Sequence, residues 1–113
     1  RAWLRALGPS APVAHIVTIG SPHHGTWLAR FSHFENGRQM RMGSHWLQQL
    51  AADEAGDYGR FTCWYADADN IVFPLSTATL SGADNRLVSG CAHVDLAFHP
   101  RLVQDTFTLV AAL

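Results

Sequence analysis

Side chains that can move protons lie in three short segments of the sequence. The segments read GSPHHGT (20–26), DADNIVFP (67–74) and GCAHVDL (90–96), and their candidate groups are Ser21, His23, His24, Asp67, Asp69 and His93. An imidazole exchanges protons near neutral pH, and a neighbouring carboxylate fixes its tautomer and stabilises the imidazolium. A carboxylate and a histidine on adjacent turns therefore suit acyl transfer through a nucleophile.

Each of these segments follows a predicted β-strand. The β-branched run VAHIVTI (13–19), the aromatic-rich run RFTCWYA (60–66) and the short run NRLVSG (85–90) predict three strands. Helical patterns alternate with them, which is typical of an α/β fold with a parallel sheet and right-handed crossovers. Because parallel strands end at one edge of the sheet, we expect the three turns to be neighbours.

The helices have clear start and stop signals. Residues 3–7 predict a helix that ends at Gly8. Ser44 is expected to cap a second helix, which begins at residue 45 and ends at Gly56. Pro100 is expected to open a third helix that continues to the end of the chain. In that last helix, the residues expected to face the core are Val103, Phe107, Val110 and Leu113. Residues 25–42 lack a clear period and predict a long irregular connection, which is typical of a lid or a binding loop.

Composition narrows the class of protein. The 113 residues are 48% hydrophobic and 15% charged, with a net charge of -1, which suits one small globular domain without the basic patch that nucleic acids require. No apolar run reaches the roughly 18 residues of a membrane span. The two cysteines, Cys63 and Cys91, do not form a C-x-x-C pair and are expected to be small buried side chains.

Three segments, taken in order, resemble the α/β-hydrolase lipases and esterases, the triacylglycerol lipase-like enzymes among them. HIVTIGSPHHGT resembles the stretch after the sixth strand of those enzymes, YADADNIVFP resembles their acid segment, and GADNRLVSGCAHVDL resembles their histidine segment. The likeness extends over essentially the whole chain. It implies the C-terminal part of an α/β-hydrolase fold, with three parallel strands and flanking helices.

By this resemblance, Asp69 is the triad acid and His93 the base, and Asp67 is the second candidate for the acid. Other interpretations stay open, because an Asp before an Asn commonly shapes a turn and His93 can be an ordinary surface histidine. His23 and His24 are expected to brace a tight turn, bounded by Gly20 and Gly25, that brings backbone close to the site.

The resemblance also implies the setting of the reaction. It implies a small ester or lipid as substrate, contact with a lipid interface, no cofactor and no metal. It is compatible with a secreted or periplasmic protein, although the residues themselves do not indicate a location. The aromatic side chains expected to line an acyl pocket are Trp27, Phe31, Phe34, Trp46 and Phe98, with core packing as the alternative for Trp46.

The chain departs from the family at the nucleophile. The strand-to-helix turn Gly-x-Ser-x-Gly that carries it does not occur in the sequence, and Ser10 and Ser21 lack the flanking glycines. RAWLRALG resembles the helix that follows this turn. We therefore expect residues 1–113 to be a partial domain without the N-terminal half, inactive alone and prone to associate along its first strand.

Three alternatives remain from the sequence. Seven histidines raise the prospect of a metal site, but no H-x-x-x-H or H-E-x-x-H spacing favours zinc. A second alternative is a hydrolase-like fold that serves as a non-catalytic binding module. The third is a phospholipid or glycolipid deacylase, which the resemblance includes.

Overall fold

The computed structural model describes residues 1–53 and 58–113, and these form a mixed α/β structure around a parallel sheet. Its three strands are β1 (Ile16–Ile19), β2 (Phe61–Ala66) and β3 (Asp84–Val88), in the order β1-β2-β3. Ile16 is level with Phe61, and Thr62 is level with Asp84. The parallel sheet predicted from the sequence is confirmed, although β1 and β3 are shorter than expected.

Helices flank the sheet. They are α1 (Ala2–Leu7), α2 (Glu35–Gln39), α3 (His45–Asp53), α4 (His93–Leu96) and α5 (Pro100–Ala111), with short 3-10 helices at Trp27–Phe31 and Leu75–Ala78. The Ser44 hydroxyl accepts from the Leu47 amide at 3.2 Å, which confirms the predicted cap of α3. Pro100 is the first residue of α5, as expected. The predicted stop at Gly56 lies outside the described residues.

The central strand β2 carries the core on both faces. On one face, Trp64 and Ala66 pack with Leu96 of α4 and Leu102 of α5. On the other face, the core cluster consists of Tyr58, Phe61, Cys63 and Leu80. Cys63 and Cys91 are both buried and unpaired, as the sequence predicted. Burial on both faces accounts for the almost continuous apolar character of β2.

The segment 25–42 is not the irregular connection that the sequence predicted. It contains the first 3-10 helix and α2, and it closes on itself through a hydrogen bond from the Thr26 amide to the Met40 carbonyl at 2.8 Å. The Arg41 guanidinium donates to the carbonyls of Ser32 at 2.7 Å and Ala29 at 3.4 Å. Side-chain contacts to the backbone stabilise these turns, and such contacts leave no hydrophobic period in the sequence.

The predicted core face of α5 is wrong. Phe107 is 72% exposed, and Val103, Val110 and Leu113 are exposed as well, whereas Leu102 is buried. Leu102 packs in the core with Trp64 and Leu96, and Asp105 one turn later forms an ion pair with Arg86 of β3 at 3.1 Å. The buried stripe of α5 is therefore the one that contains Leu102.

Candidate catalytic site

Asp69 and His93 meet at the carboxyl edge of the sheet. The His93 Nδ1 atom lies 2.8 Å from Asp69 Oδ2, across the turns that follow β2 and β3. The side chain of Asp69 is only 3% exposed, and that of His93 is 26% exposed. The distance is that of a strong, charge-assisted hydrogen bond. With Asp69 ionised, Nδ1–H donates to the carboxylate and Nε2 is left as the basic atom.

The second carboxylate oxygen of Asp69 is also bound. Its Oδ1 atom accepts hydrogen bonds from the amides of Ile71 and Val72, both at 2.8 Å. The side chain therefore shapes the turn, as one interpretation of the sequence expected, and binds His93 at the same time. Contacts at both oxygens fix the orientation of the carboxylate, which in turn orients the imidazole.

His93 is held through its backbone as well. It is the first residue of α4, and its amide donates to the Asn70 side-chain carbonyl at 3.3 Å. The fully buried side chain of Leu96 anchors the same helix in the core. Within residues 1–53 and 58–113, the only hydrogen bond of the His93 ring is the one to Asp69. The arrangement presents a half-buried imidazole with one nitrogen oriented and the other available.

The other candidate acid has a different place. Asp67 Oδ1 accepts from the Gly90 amide at 2.7 Å, which ties the turn after β2 to the turn after β3. Asp67 makes no hydrogen bond to His93 in the described structure. The geometry therefore favours Asp69 over Asp67 as the partner of the histidine.

The adjacent histidines after β1 have separate environments. His23 is 6% exposed, and its Nε2 atom lies 3.0 Å from Thr18 Oγ1 and 3.7 Å from Cys63 Sγ. Burial, assisted by the nearby Arg1 charge, lowers the pKa of His23 from 6.5 to about 3, so its ring is neutral near pH 7. The same burial raises the pKa of the Cys63 thiol, which disfavours a thiolate there.

His24 and Ser21 do not join the Asp69–His93 pair. His24 is exposed, and its amide donates to the Thr77 carbonyl at 3.1 Å. In the part of the chain that the structure describes, no serine hydroxyl hydrogen-bonds to the His93 ring. The expectation that the histidine pair braces the turn agrees with the ring contacts of His23. For His24, the described structure gives a hydrogen bond of the backbone amide alone, so a bracing role of its ring stays a prediction.

Thr26 is a site residue that sequence reasoning missed. Its hydroxyl donates to the Ile71 carbonyl at 2.6 Å and accepts from the Phe73 amide at 3.3 Å. The next amide, of Trp27, donates to the Phe73 carbonyl at 3.0 Å. These bonds fasten the turn after β1 to the loop that carries Asp69. A threonine after a glycine has no distinctive signal in a single sequence, so only the fold identifies this role.

Four of the five aromatic side chains expected to line an acyl pocket are exposed in the described structure, and the acyl pocket itself stays a prediction. Trp27, Phe31, Phe34 and Phe98 are exposed, and Trp46 is half-buried. The Trp27 ring packs against Phe31 at 5.4 Å and against Phe73, in the loop after Asp69, at 5.7 Å between ring centroids.

An open depression in the described surface lies elsewhere. It has a volume of about 500 Å³ and lies between α5 and the residue before β1, lined by His15, Arg86, Asp105 and Leu109 among others. Since His15 and the Asp69–His93 pair lie at opposite ends of β1, this depression is separate from the candidate site.

Comparison with known proteins adds no assignment. No family model, curated protein or solved structure matches the chain. The described residues contain no cluster of three or more histidine, cysteine or acidic side chains arranged to hold a metal ion. They also contain no helix with the length and hydropathy to cross a bilayer.

Proposed function

We propose that residues 1–113 supply the acid and the base of a carboxylic-ester hydrolase with an α/β-hydrolase fold, of the lipase or esterase type. One observation carries the proposal: a buried carboxylate, bound at both oxygens, orients a half-exposed histidine 24 residues later at 2.8 Å. The pair lies at the carboxyl edge of a parallel sheet, where α/β proteins bind ligands. The order of acid before histidine is that of α/β-hydrolases.

In this mechanism, His93 Nε2 accepts the proton of a serine hydroxyl as the oxygen attacks the ester carbonyl. The imidazolium then donates that proton to the leaving alcohol, and an acyl-enzyme forms. In the second half, His93 activates water and returns its proton to the serine. Asp69 stays ionised throughout, holding the tautomer and stabilising the imidazolium.

The nucleophile in this proposal is a serine upstream of these residues, in a Gly-x-Ser-x-Gly turn. Ser21 does not hydrogen-bond to His93, and Pro22 after it favours extended backbone rather than a strand-to-helix turn. The apolar edge of β1, which has β2 as its only neighbour among the described strands, is where a further parallel strand would pair.

The test compares a longer protein, in which the upstream reading frame is joined to these residues, with three variants. Asp69→Asn is expected to lower kcat for p-nitrophenyl esters about 10⁴-fold, since the histidine then adopts the wrong tautomer. His93→Ala is expected to lower kcat by at least the same factor. Asp67→Asn is the matched control, because its carboxylate contacts Gly90 and not His93, and kcat should change only about severalfold.

The outcomes separate the candidates. Retained turnover in His93→Ala, or an equal loss in Asp67→Asn, would contradict the assignment. The 113-residue chain alone is expected to show no turnover. Activity that persists in Ser21→Ala but is lost in His93→Ala would require another nucleophile within the chain. An upstream frame without Gly-x-Ser-x-Gly would favour the non-catalytic binding module.

A further inference from the structure

Gly20 ends β1 directly beside the Asp69–His93 pair. Its backbone has φ +55°, and its amide donates to the Trp64 carbonyl at 2.8 Å, which continues the ladder between β1 and β2. The left-handed conformation favours glycine, and the hydrogen bond fixes the residue to the central strand. The backbone at this point therefore cannot move away without breaking a sheet contact.

The space where a side chain would stand at position 20 is filled by the candidate site. A β-carbon there would lie 2.9 Å from His93 Cε1, 3.0 Å from His93 Nδ1 and 3.4 Å from Asp69 Oδ2. The first distance is shorter than real β-carbons show, and the second is tighter than most of their contacts. The imidazole edge and the carboxylate thus border the space that the absent side chain leaves.

Other glycines with positive φ provide the comparison. At Gly8, Gly43, Gly82 and Gly90, a β-carbon would meet nothing within 4 Å, so only the backbone conformation favours glycine there. Gly20 differs because a neighbouring side chain occupies the vacant position. The contact, rather than the turn alone, requires glycine at position 20.

We propose that Gly20 is a positioning residue for His93. The inference rests on the proposed role of the Asp69–His93 pair, and it names the residue that limits the movement of the His93 ring. Asp69 attracts the Nδ1 side of the imidazole, and the backbone of Gly20 blocks the ring from swinging toward β1. Two restraints from different strands leave one orientation, in which Nδ1 faces the carboxylate and Nε2 faces away. Such fixed orientation is what proton transfer to a reacting oxygen requires.

The first test is a double-mutant cycle on the 113-residue chain, followed by urea unfolding. Gly20→Ala is expected to lower the urea concentration at the unfolding midpoint. This decrease should be at least about twofold larger in the wild-type background than in the His93→Ala background, because removing the ring removes the collision. Gly43→Ala is the matched control, with φ +71° and open space, and its shift should be equal in both backgrounds. Equal shifts for Gly20→Ala, or its failure to fold in both backgrounds, would overturn the proposal.

The second test measures the His93 tautomer from the nitrogen chemical shifts of its ring. The wild-type chain is expected to carry the proton on Nδ1, and Gly20→Ala is expected to shift part of the population toward the Nε2–H tautomer expected for Asp69→Asn. Gly43→Ala should keep the wild-type signal. An unchanged tautomer in Gly20→Ala would overturn the proposal. This measurement needs no nucleophile, so it stands apart from any failure to find ester hydrolysis.

In the longer protein, the same variant has a kinetic signature. Gly20→Ala is expected to lower kcat about 100-fold with KM nearly unchanged, because a displaced base affects the transition state more than ground-state binding. Hydrolysis that depends on His93 but is unaffected by Gly20→Ala would leave the proposed function in place and refute the positioning role.

Discussion

At the scale of single residues, the chain contains two histidines with opposite environments. His23 lies in the conspicuous His-His pair but is buried against Thr18 and Cys63, where its ring is neutral. His93 has no unusual neighbour in sequence, yet its ring is half-exposed and bound to a carboxylate. Residue type alone predicts the same proton exchange for His23 and His93. The difference in burial distinguishes a structural histidine from a candidate base.

Burial of His23 predicts a loss of stability in acid. Its pKa is about 3 in the folded chain and near 6.5 when exposed, so the unfolded state binds one more proton between these values. The stabilisation is complete above 6.5 and is lost as the pH falls toward 3, by up to about 1.4 kcal/mol for each pH unit. Urea unfolding from about pH 7 to about pH 4 measures this slope.

The matched variants for this slope are His23→Gln and His24→Gln. The first is expected to flatten the pH dependence, because the buried imidazole that takes up a proton on unfolding is then absent. The second changes an exposed ring and should leave the slope as in the wild type. A slope that persists in His23→Gln would assign the acid sensitivity to other groups.

At the scale of elements, the turn after β1 holds in place the loop that follows β2 and carries Asp69. The Thr26 hydroxyl connects to Ile71 and Phe73, and the first 3-10 helix continues the contact through the amide of Trp27. Gly25 allows the chain to pass close to Met40, whose carbonyl would lie 2.6 Å from a β-carbon at position 25. The turn therefore connects β1 to the next helix and also binds two other loops, which carry Met40 and Phe73.

Replacing Thr26 by valine tests this connection. The change keeps the shape of the side chain but leaves the Ile71 carbonyl and the Phe73 amide with fewer partners, so the free energy of unfolding should fall by about 1–3 kcal/mol. Thr79→Val is the control, because that hydroxyl reaches only the Ser76 carbonyl nearby at an exposed position. Equal losses in the two variants would contradict the role of Thr26.

Elements also show how far sequence reasoning reached. The strands, the cap at Ser44 and the start of α5 at Pro100 follow from local patterns. The resemblance to α/β-hydrolases, and not a local pattern, singled out Asp69 and His93, whose side chains meet at 2.8 Å. The exposed face of α5 did not follow, because it depends on contacts with residues distant in sequence, among them Leu102 with Trp64 and Asp105 with Arg86. Gly20 and Thr26 were not assigned contacts in the site, since those contacts exist only after three separate loops have come together.

At the scale of the whole molecule, the chain exposes more surface than its size requires. Its accessible area is 6863 Å², whereas about 6,100 Å² is expected for a folded monomer of 12.4 kDa. The exposed apolar side chains include three on the outer face of α5, namely Val103, Phe107 and Val110. Contiguous apolar surface of this kind is typical of association or aggregation sites.

We therefore expect the chain to self-associate as its concentration rises. Sedimentation velocity over a concentration series should show an increasing average mass. The double variant Phe107→Gln, Val110→Gln is expected to reduce the increase, because both side chains are more than half exposed and contribute little to the core. Gln104→Ala, an exposed polar position on the same helix, is the control. A monomer at every concentration would contradict this expectation.

The bare backbone at Gly20 has a consequence for how the protein tolerates variation. If activity were measured for every substitution at these positions, the loss at Asp69 and at His93 would vary with the chemistry of the replacement. Gly43 would accept asparagine better than valine, since asparagine adopts the left-handed conformation more readily. Gly20 would reject all side chains alike, asparagine included, because volume is what the position excludes. A uniform intolerance of this kind, adjacent to two positions where the loss varies, would mark a residue that contributes to the site by what it lacks.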